Sequence, residues 1–576
     1  MAATYGINQC QYVRGTSLSR THWRLLTPSQ PPLNIPGVNP LVAQLLHNRG
    51  ISEPSQIETF LNADSRLESD PFLLPDIHQA VGRTYQALLS GEEIAVYGDF
   101  DADGITATAL VVQVLSALGG KVIPYIPHRY REGYGLQVSA LEKLRQHGIS
   151  LIITVDTGIT AIAEIQKARK MGIDIIVTDH HLPLDLLPPA LAVVDPKRKD
   201  SSCQFAEFAG VGVAFKFLQA LLKGSGREEI ADNLLDLVAL GTVTDMVPLT
   251  GDNRYWVKRG LELINNTDRP GLQELMRSAG LKPGNLDTES ISWTLGPRLN
   301  AAGRLDDAAT SYKLLLTQDP KEAALLVSEL EEKNAKRQRL TTELLERARA
   351  KIIAAGTDAP LLMAGDEDYP AGVMGLVAGR LSEEFYRPVI LFRFGTDSCR
   401  GSGRSIPEFD LMAALADCRD LLSNFGGHTK AAGFTIPAPN LPQFQKQMFS
   451  LAESKLTGLD LRPHIDIDAE VPFSGLTGET IKQIQRLAPF GAGNPVPAFV
   501  SRNVEIIDLR YIGSRKEHLS LKVKQEGIVW DAIGFRFGSR AKETSGPLDI
   551  AYNLDIDRWN GAERLRLKLL DFGAAC

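Results

Sequence analysis

The stretch IAVYGDFDADG, residues 94–104, decides the fold of the first half of the chain, because an apolar run leads directly into three acidic residues. The apolar part predicts a buried strand, and the closing glycine places the acidic part at the carboxyl end of that strand. Asp99, Asp101 and Asp103 alternate at this end. Carboxylates this close repel one another, and folded proteins usually neutralise them with cations. Ligands of open α/β sheets bind at the same edge.

An ordinary acidic turn and a calcium-binding EF-hand loop are the alternative interpretations of this run. An EF-hand loop requires glycine at its sixth position and glutamate at its twelfth. Counted from Asp99, Gly104 fits the sixth position, but the twelfth residue is Leu110. The run therefore favours a catalytic divalent-metal site.

The composition indicates a soluble globular protein of about three or four domains in 576 residues. The net charge of −7 argues against attraction of the whole surface to nucleic acid, although it allows a local basic groove. The cysteines are scattered, which suits a reducing cytoplasm. No signal core or membrane-length apolar run is present, so we expect a cytoplasmic protein without membrane contact. The cysteines are Cys10, Cys203, Cys399, Cys418 and Cys576.

Short apolar runs alternate with amphipathic stretches between about residues 90 and 250. This alternation predicts an α/β fold with a doubly wound parallel sheet and helices on both faces. The predicted strands are IAVYGDF, KVIPYIP, LIITVD, DIIVTD and LAVVD.

Changes of pattern along the rest of the chain predict five regions. The last region alternates apolar and polar residues at period two, which is typical of a small antiparallel barrel or sandwich, with an OB-fold as one candidate. The regions are an N-terminal accessory region (1–75), a catalytic α/β domain (76–308), a long linker helix interrupted near a proline (309–355), a smaller α/β domain (356–458) and the β-domain (459–576).

Acidic and imidazole side chains end four predicted strands of the first domain, and parallel strands bring such ends to one edge of a sheet. Aspartate and histidine together suit Mn²⁺ or Mg²⁺. The residues are Asp101 and Asp103 after the first strand, Asp156 after the second, Asp179, His180 and His181 after the third, and Asp245 after the run 239–245, interpreted as a fourth strand.

Two of the polar residues near these ends also have simpler explanations. A lone His180 would more often be a buried histidine with satisfied hydrogen bonds. Asp195 precedes a proline, and we interpret it as a turn-forming residue.

The strings GDFDADG, VDTGIT, TDHHLP and GTVTDMVPL resemble successive motifs of the DHH phosphoesterase superfamily. Four later strings narrow the resemblance to the RecJ family of that superfamily. It covers the chain from about residue 70 to near its end, and implies a DHH domain, a linker helix, a DHHA1-type domain and an OB-fold. The later strings are GPRLNAAGR (296–304), GVMGLVAGRL (372–381), GSGRS (401–405) and GGHTKAAGF (426–434).

The resemblance implies two metal ions, Mn²⁺ or Mg²⁺, as cofactors. Asp156 would bridge them, Asp179 would orient an imidazole, and His181 would either ligate a metal or face the scissile phosphate. Tyr97 stands where many superfamily members have histidine, so no nitrogen ligand is expected there. The implied metal ligands are Asp101, Asp103, Asp156, His180 and Asp245.

The resemblance also implies that the second α/β domain holds the 5′-terminal phosphate. Arg404 presents a planar fork suited to phosphate, and we expect it in a loop whose small residues let backbone amides approach an anion. The implied substrate-binding residues are Arg298, Asn300, Arg304, Ser402, Arg404 and His428.

The activity implied by the resemblance is hydrolysis of single-stranded DNA from the 5′ end to mononucleotides, in recombination and repair, by a two-metal mechanism. The implied partners are single-stranded DNA with a 5′ phosphate, a single-strand-binding protein and a RecQ-type helicase, and the chain would act as a monomer. Two alternatives stay open. One is a related hydrolase of short oligonucleotides, cyclic dinucleotides or pyrophosphate, and the other is a non-catalytic nucleic-acid-binding scaffold.

Overall fold

The computed structural model describes residues 21–26, 35, 37–544, 546–557 and 563–575. They fall into two compact units. The barrel unit comprises the described residues within 1–66, 462–490 and 494–576, and the larger unit comprises residues 67–461 and 491–493. Most of the N-terminal lead-in, together with Cys10 and Cys576, lies outside the described residues.

The larger unit contains the predicted parallel sheet, and every neighbouring pair of its strands is parallel. Successive side chains of a strand point to opposite faces. Accordingly, Ile94 and Val96 enter one hydrophobic core, whereas Ala95 and Tyr97 enter the core on the other face. This double burial explains the continuous apolar runs. In spatial order the strands are Lys121–Tyr125, Glu93–Tyr97, Leu151–Val155, Asp174–Thr178 and Ala192–Val194.

Helices cover both faces of this sheet, which confirms the predicted doubly wound architecture. The long linker helix begins at Pro320, where a proline in the first turn costs no hydrogen bond. The helices are Ile77–Ser90, Ala102–Ala117, Val138–Gln146, Ile162–Lys170, Gly210–Leu222, Glu229–Asp232, Leu235–Thr244, Gly251–Asn265, Pro270–Ser278, Thr288–Ser290, the π-helical turn Ile291–Leu295, Gly296–Leu305, Ala309–Leu316 and Pro320–Ala355.

The run 239–245 is not a strand, and this part of the prediction was wrong. These residues belong to the helix Leu235–Thr244, and Asp245 caps its carboxyl end. All residues from Leu235 to Val243 are buried. A helix buried on every side shows no amphipathic period, so its sequence looks like a buried strand.

The second α/β domain of the larger unit is built on a mixed five-stranded sheet. Arg404 is the last residue of a strand rather than part of a loop, which corrects the sequence-based expectation. That strand pairs with a neighbouring strand on each side, so its backbone N–H groups form hydrogen bonds within the sheet. In spatial order the strands are Asn424–His428, Ala431–Pro437, Ser398–Arg404, Val389–Arg393 and Leu362–Asp366, and the helices are Ala371–Phe385, Leu411–Asp417 and Leu441–Leu456.

The barrel unit is a closed five-stranded barrel, as the OB-fold prediction requires. Its first strand pairs with both the second and the fourth, and the third and fifth strands are parallel. The helices Pro40–Asn48 and Pro54–Asn62 share a hydrophobic core with the barrel. The barrel strands are Ala498–Ile512, His518–Gln525, Ile528–Gly534, Leu548–Asp557 and Arg564–Ala574; His22–Leu25, His464–Ile467, Ala469–Glu470 and the helix Gly478–Gln485 complete the unit.

Two expectations from composition concern the described residues. Among these residues, no helix combines the length and apolar character needed to cross a membrane. Cys203, Cys399 and Cys418 are buried free thiols.

A buried ion pair connects two helices of the larger unit and yields a stability prediction. The Nζ atom of Lys216 lies 2.6 Å from Oδ1 of Asp252, and both side chains are 1% exposed. We expect Asp252→Ala to cost about 3–5 kcal/mol of unfolding free energy, because it leaves a buried ammonium without its carboxylate. Denaturant unfolding measures the loss.

The exposed pair of Lys199 and Asp185, 3.4 Å apart, provides the matched control. Lys199→Ala should change the unfolding free energy by less than about 1 kcal/mol. Similar losses in the two variants would contradict the importance of burial.

Candidate metal centre

Acidic and imidazole groups converge at the carboxyl edge of the parallel sheet in three overlapping groups. Within each group the potential ligand atoms lie within 4.8 Å of one another. Asp156 belongs to two of the groups and His180 to two. The groups are Asp99, Asp101 and Asp156; Asp156, His180 and His181; and Asp103, His180 and Asp245.

Asp101 caps the helix that follows the first strand. Its Oδ1 atom accepts hydrogen bonds from the backbone N–H groups of Asp103 (3.0 Å) and Gly104 (3.2 Å). The side-chain Oδ1 of Asn300 accepts a hydrogen bond from the N–H of Ala102 at 2.9 Å. Asn300, predicted to bind substrate, therefore also holds the acidic turn in place.

The imidazole of His180 is oriented for metal binding through Nε2. Its Nδ1 donates to the carbonyl of Phe208 at 2.9 Å. Burial and the neighbouring His181 lower the pKa of His180 to about 3, so the ring is neutral. Nε2 then carries a lone pair, and this atom lies 3.2 Å from Oδ1 of Asp156. Two acceptors facing each other at this distance require a cation or proton between them.

Asp179 organises the turn that carries the two histidines. Its Oδ1 accepts hydrogen bonds from the N–H groups of His180 (2.8 Å) and His181 (3.2 Å) and from Nδ1 of His181 (2.8 Å). Its Oδ2 accepts the N–H of Ile159 at 2.9 Å. Although burial lowers the pKa of His181, Asp179 raises it to about 9. The carboxylate of Asp179 thus fixes an imidazole.

The buried acids carry the electrostatic signature of a cation site. Burial and neighbouring carboxylates raise the pKa of Asp99 to about 8 and that of Asp103 to about 7, and raise the pKa values of Asp156 and Asp245 well above their usual range. Charged carboxylates are therefore costly here unless cations accompany them. The carboxylate and imidazole donors fit Mn²⁺ or Mg²⁺.

Asp99 was missing from the ligands predicted from the sequence, although it belongs to the acidic run. Its Oδ1 is buried and has no hydrogen-bond partner among the residues that the structure describes, and its carboxylate lies in one of the three groups. The hydroxyl of Tyr97, by contrast, donates to the carbonyl of Gly135 at 3.0 Å. Asp195 has the geometry of the predicted turn, since its Oδ1 accepts the N–H of Lys197 at 2.7 Å.

Ser402 and Arg404 project from the same face of their strand toward the helix Ala371–Phe385. A methyl group at Gly375 of that helix would lie 2.8 Å from Nη2 of Arg404 and 3.1 Å from Oγ of Ser402. Burial lowers the pKa of Arg404. Its guanidinium bonds only to the carbonyl of Gly403 within the described part of the chain.

Arg304 is close enough to both Asp101 and Arg404 for their charges to act on its pKa. Burial, followed by the charge of Arg129, lowers its pKa to about 10, and the charges of Arg337 and Arg404 act in the same direction. Guanidinium groups gathered in this way attract phosphate. Arg298 differs, because its Nε forms an ion pair with Glu331 at 2.8 Å.

His428 connects the second α/β domain with the metal centre. Its ring stacks on that of His181, with ring centroids 5.5 Å apart and planes inclined by 18°. In the sheet, His428 pairs with Ala431, which pairs with Arg404 on its other side. One row of the sheet therefore contains both a candidate phosphate ligand and a neighbour of the metal ligands.

Comparison with known families gives three matches along the chain. The DHH family N-terminal domain matches residues 93–242, the DHHA1 domain matches residues 351–454 and the RecJ OB domain matches residues 467–571.

Individual proteins and structures are similar over nearly the whole chain. The single-stranded-DNA-specific exonuclease RecJ of Bacillus subtilis (strain 168) is 36% identical over 561 residues, which cover 96% of this chain and 71% of that protein. The crystal structure of RecJ in complex with Mn²⁺ from Thermus thermophilus has a TM-score of 0.82 and 31% identity, and covers 96% of this chain and 79% of that chain. The corresponding Mg²⁺ complex has a TM-score of 0.77 and 29% identity, with coverage of 97% and 79%.

Substitution of Asp156 tests the metal centre. We expect Asp156→Asn to weaken Mn²⁺ binding at least about 10-fold, because it removes the charge of a carboxylate shared by two ligand groups. Calorimetric titration with Mn²⁺ measures the affinity. Asp195→Asn is the matched control, since Asp195 is a buried acid outside the three ligand groups and its Oδ1 accepts the N–H of Lys197. Equal affinities in the two variants would remove Asp156 from the ligand set.

Proposed function

The chain belongs to the RecJ family, and on this premise we propose that it is a metal-dependent exonuclease that degrades single-stranded DNA from the 5′ end to mononucleotides. The observation that carries the proposal is the convergence of five carboxylates and His180 at one sheet edge, together with the guanidinium groups of Arg304 and Arg404, whose charges act on each other. Carboxylates and imidazole hold Mn²⁺ or Mg²⁺, and guanidinium groups hold phosphate. The two kinds of group together suit phosphodiester hydrolysis.

Two metal ions, Mn²⁺ or Mg²⁺, would activate a water molecule and neutralise charge on the phosphodiester oxygens. Asp101, Asp103, Asp156, His180 and Asp245 are the proposed ligands. Asp156 is the proposed bridging ligand, because its carboxylate is common to two of the ligand groups. Asp99 extends the set, because its buried Oδ1 has no hydrogen-bond partner in the described part of the chain.

His181 is the proposed proton donor to a phosphoryl oxygen or to the leaving 3′-oxygen. Oδ1 of Asp179 accepts a hydrogen bond of 2.8 Å from Nδ1 of His181, and this bond fixes the orientation of the imidazole ring. The remaining nitrogen, Nε2, lies 3.4 Å from the hydroxyl of Tyr134, on the partly exposed side of the site. A hydrogen bond that strengthens as charge develops on oxygen favours the transition state over the substrate.

The 5′ polarity follows in this proposal from capture of the terminal phosphate. Ser402, Arg404 and Arg304 would bind it, and His428 would close the pocket beside the metal ligands. A strand held by its terminal phosphate presents the next phosphodiester to the metal centre, so each hydrolysis releases one nucleotide. Asn300 and Arg298 act indirectly in this proposal, through the acidic turn and Glu331.

The cellular setting belongs to the same proposal. We expect the enzyme to act as a monomer in the cytoplasm, in recombination and repair. A RecQ-type helicase would supply unwound strands and a single-strand-binding protein would keep them open. The OB domain would bind the single strand on the 3′ side of the scissile phosphodiester, since barrels of this type commonly bind single strands.

Digestion of end-labelled oligonucleotides tests the activity. With Mn²⁺ present, a 5′-labelled single strand should release labelled mononucleotide from the start, whereas a 3′-labelled strand should shorten progressively. Blunt duplex should stay intact, and a chelator should stop both reactions. Release of mononucleotide first from 3′-labelled ends would contradict the proposed polarity.

Substitution of Arg404 tests the terminal-phosphate pocket. We expect Arg404→Ala to raise KM for 5′-phosphorylated strands about 10-fold or more, because a charge-assisted contact to phosphate is worth roughly 1.5–3 kcal/mol. Strands with a 5′ hydroxyl should be much less affected. Steady-state digestion of the two substrates measures the difference.

Arg400→Ala is the matched control, because Arg400 lies on the same strand and the same face but is exposed. It should leave the preference for phosphorylated ends unchanged. Equal losses of Arg404→Ala on both kinds of end would contradict the pocket.

A further inference from the structure

The segment Phe208–Val211 forms backbone hydrogen bonds with members of two of the three ligand groups, Asp103 and His180. The N–H of Gly210 donates to Oδ2 of Asp103 at 2.6 Å, and the N–H of Val211 donates to Oδ1 of the same carboxylate at 2.8 Å. The carbonyl of Phe208 accepts a hydrogen bond of 2.9 Å from Nδ1 of His180. Both oxygens of one candidate ligand and the ring orientation of another are thus set by four consecutive residues.

Gly210 also faces a third candidate ligand across a gap that only a glycine leaves open. A Cβ atom at Gly210 would lie 2.4 Å from Cβ of Asp156 and 2.6 Å from its Cγ and Oδ1. The obstacle is space rather than conformation, because Gly210 does not have a positive φ. Asp156 itself has a φ of 61°, an uncommon conformation for a residue with a side chain.

The segment is anchored away from the metal centre by aromatic packing. Phe208 is fully buried and stacks on Trp256, with centroids 5.5 Å apart and planes inclined by 25°. Phe205 packs edge-on against Phe208 at 4.8 Å. A backbone held in this way provides a fixed reference for the ligands that bond to it.

We propose that Gly210 is a positioning residue that sets the separation of the Asp103 and Asp156 carboxylates, and through it the geometry in which two cations bind. The N–H of Gly210 holds the carboxylate of Asp103. The absence of a side chain at Gly210 lets the carboxylate of Asp156 lie close to the same backbone position. This inference rests on the proposed function for its catalytic consequence. The geometric part concerns cation binding alone.

Metal titration of Gly210→Ala is the first test. The added methyl must displace Asp156, so we expect Mn²⁺ affinity to fall about 10–100-fold, the range typical of lost supporting contacts around a metal. Binding of a 5′-phosphorylated oligonucleotide in a chelator, followed by fluorescence anisotropy, should stay unchanged, since Arg304 and Arg404 are untouched. Unchanged Mn²⁺ affinity would overturn the proposal.

Gly212→Ala is the matched control on the same helix. The three atoms nearest to a Cβ at Gly212 would be side-chain atoms of Phe208 and Trp256, at 3.3–3.4 Å. We expect its Mn²⁺ affinity to stay within about threefold of the unmodified chain. If both alanine variants lost Mn²⁺ affinity equally, general loosening of the helix would explain the effect and the proposal would fail.

A second measurement covers the case in which Gly210→Ala folds poorly. In a chelator, the thermal unfolding midpoint is compared for Gly210→Ala, Asp156→Gly and the double variant. Glycine accepts the positive φ at position 156 and removes the obstructing Cβ. Gly210→Ala should therefore lower the midpoint in the original background and have little effect beside Asp156→Gly. Equal decreases in both backgrounds would contradict the contact.

Mn²⁺ binding and DNA digestion are measured independently, so the positioning role of Gly210 and the proposed function can fail separately. If the unmodified chain binds Mn²⁺ but does not digest single-stranded DNA, the proposed function fails. Mn²⁺ affinities that fall only in Gly210→Ala would still support the positioning role.

Discussion

The burial of several carboxylates at one sheet edge is the constraint around which the larger unit is organised. Removing a carboxylate from water costs several kcal/mol unless hydrogen bonds or cations compensate. Backbone N–H groups supply part of this compensation. Asp101 accepts two backbone hydrogen bonds from the turn that it caps, and Asp103 accepts two from the start of a neighbouring helix. Asp179 accepts three backbone hydrogen bonds, one of them from Ile159. The raised pKa values of Asp99 and Asp156 show that compensation is incomplete without cations.

Direct contacts across the two α/β domains of the larger unit join phosphate binding to the metal centre. The rings of His428 and His181 stack on each other. Gly372 of the second domain packs closely against the first, because a methyl group at this position would lie 2.1 Å from the carbonyl oxygen of Arg304 and 2.4 Å from the hydroxyl of Tyr130. A displacement of the second domain would therefore move Arg404, a candidate phosphate ligand, relative to the candidate metal ligands. In the proposed function, this coupling makes correct seating of the 5′ end a condition for hydrolysis.

Much of the fold and most of the candidate site could be predicted from the sequence, because parallel strands with polar ends leave a strong local pattern. Residues 94–104 predicted both the strand and the acidic edge. Two expectations failed for physical reasons. Residues 239–245 form a helix buried on all sides, which leaves no period to detect. Arg404 lies on a strand although glycines surround it, because those glycines give room to packed side chains such as Phe434 and Leu411.

The supporting contacts could not be predicted, because they are made by backbone atoms that every residue type carries. The residue types at positions 208 and 211 do not indicate that the carbonyl of Phe208 orients His180 or that the N–H of Val211 holds Asp103. Ligand residues, in contrast, are recognisable because they oppose folding. A stable core gains nothing from neighbouring buried carboxylates, so the proximity of Asp99, Asp103 and Asp156 must be explained by its chemistry. The residues that give that chemistry its geometry are ordinary core residues, and only coordinates reveal them.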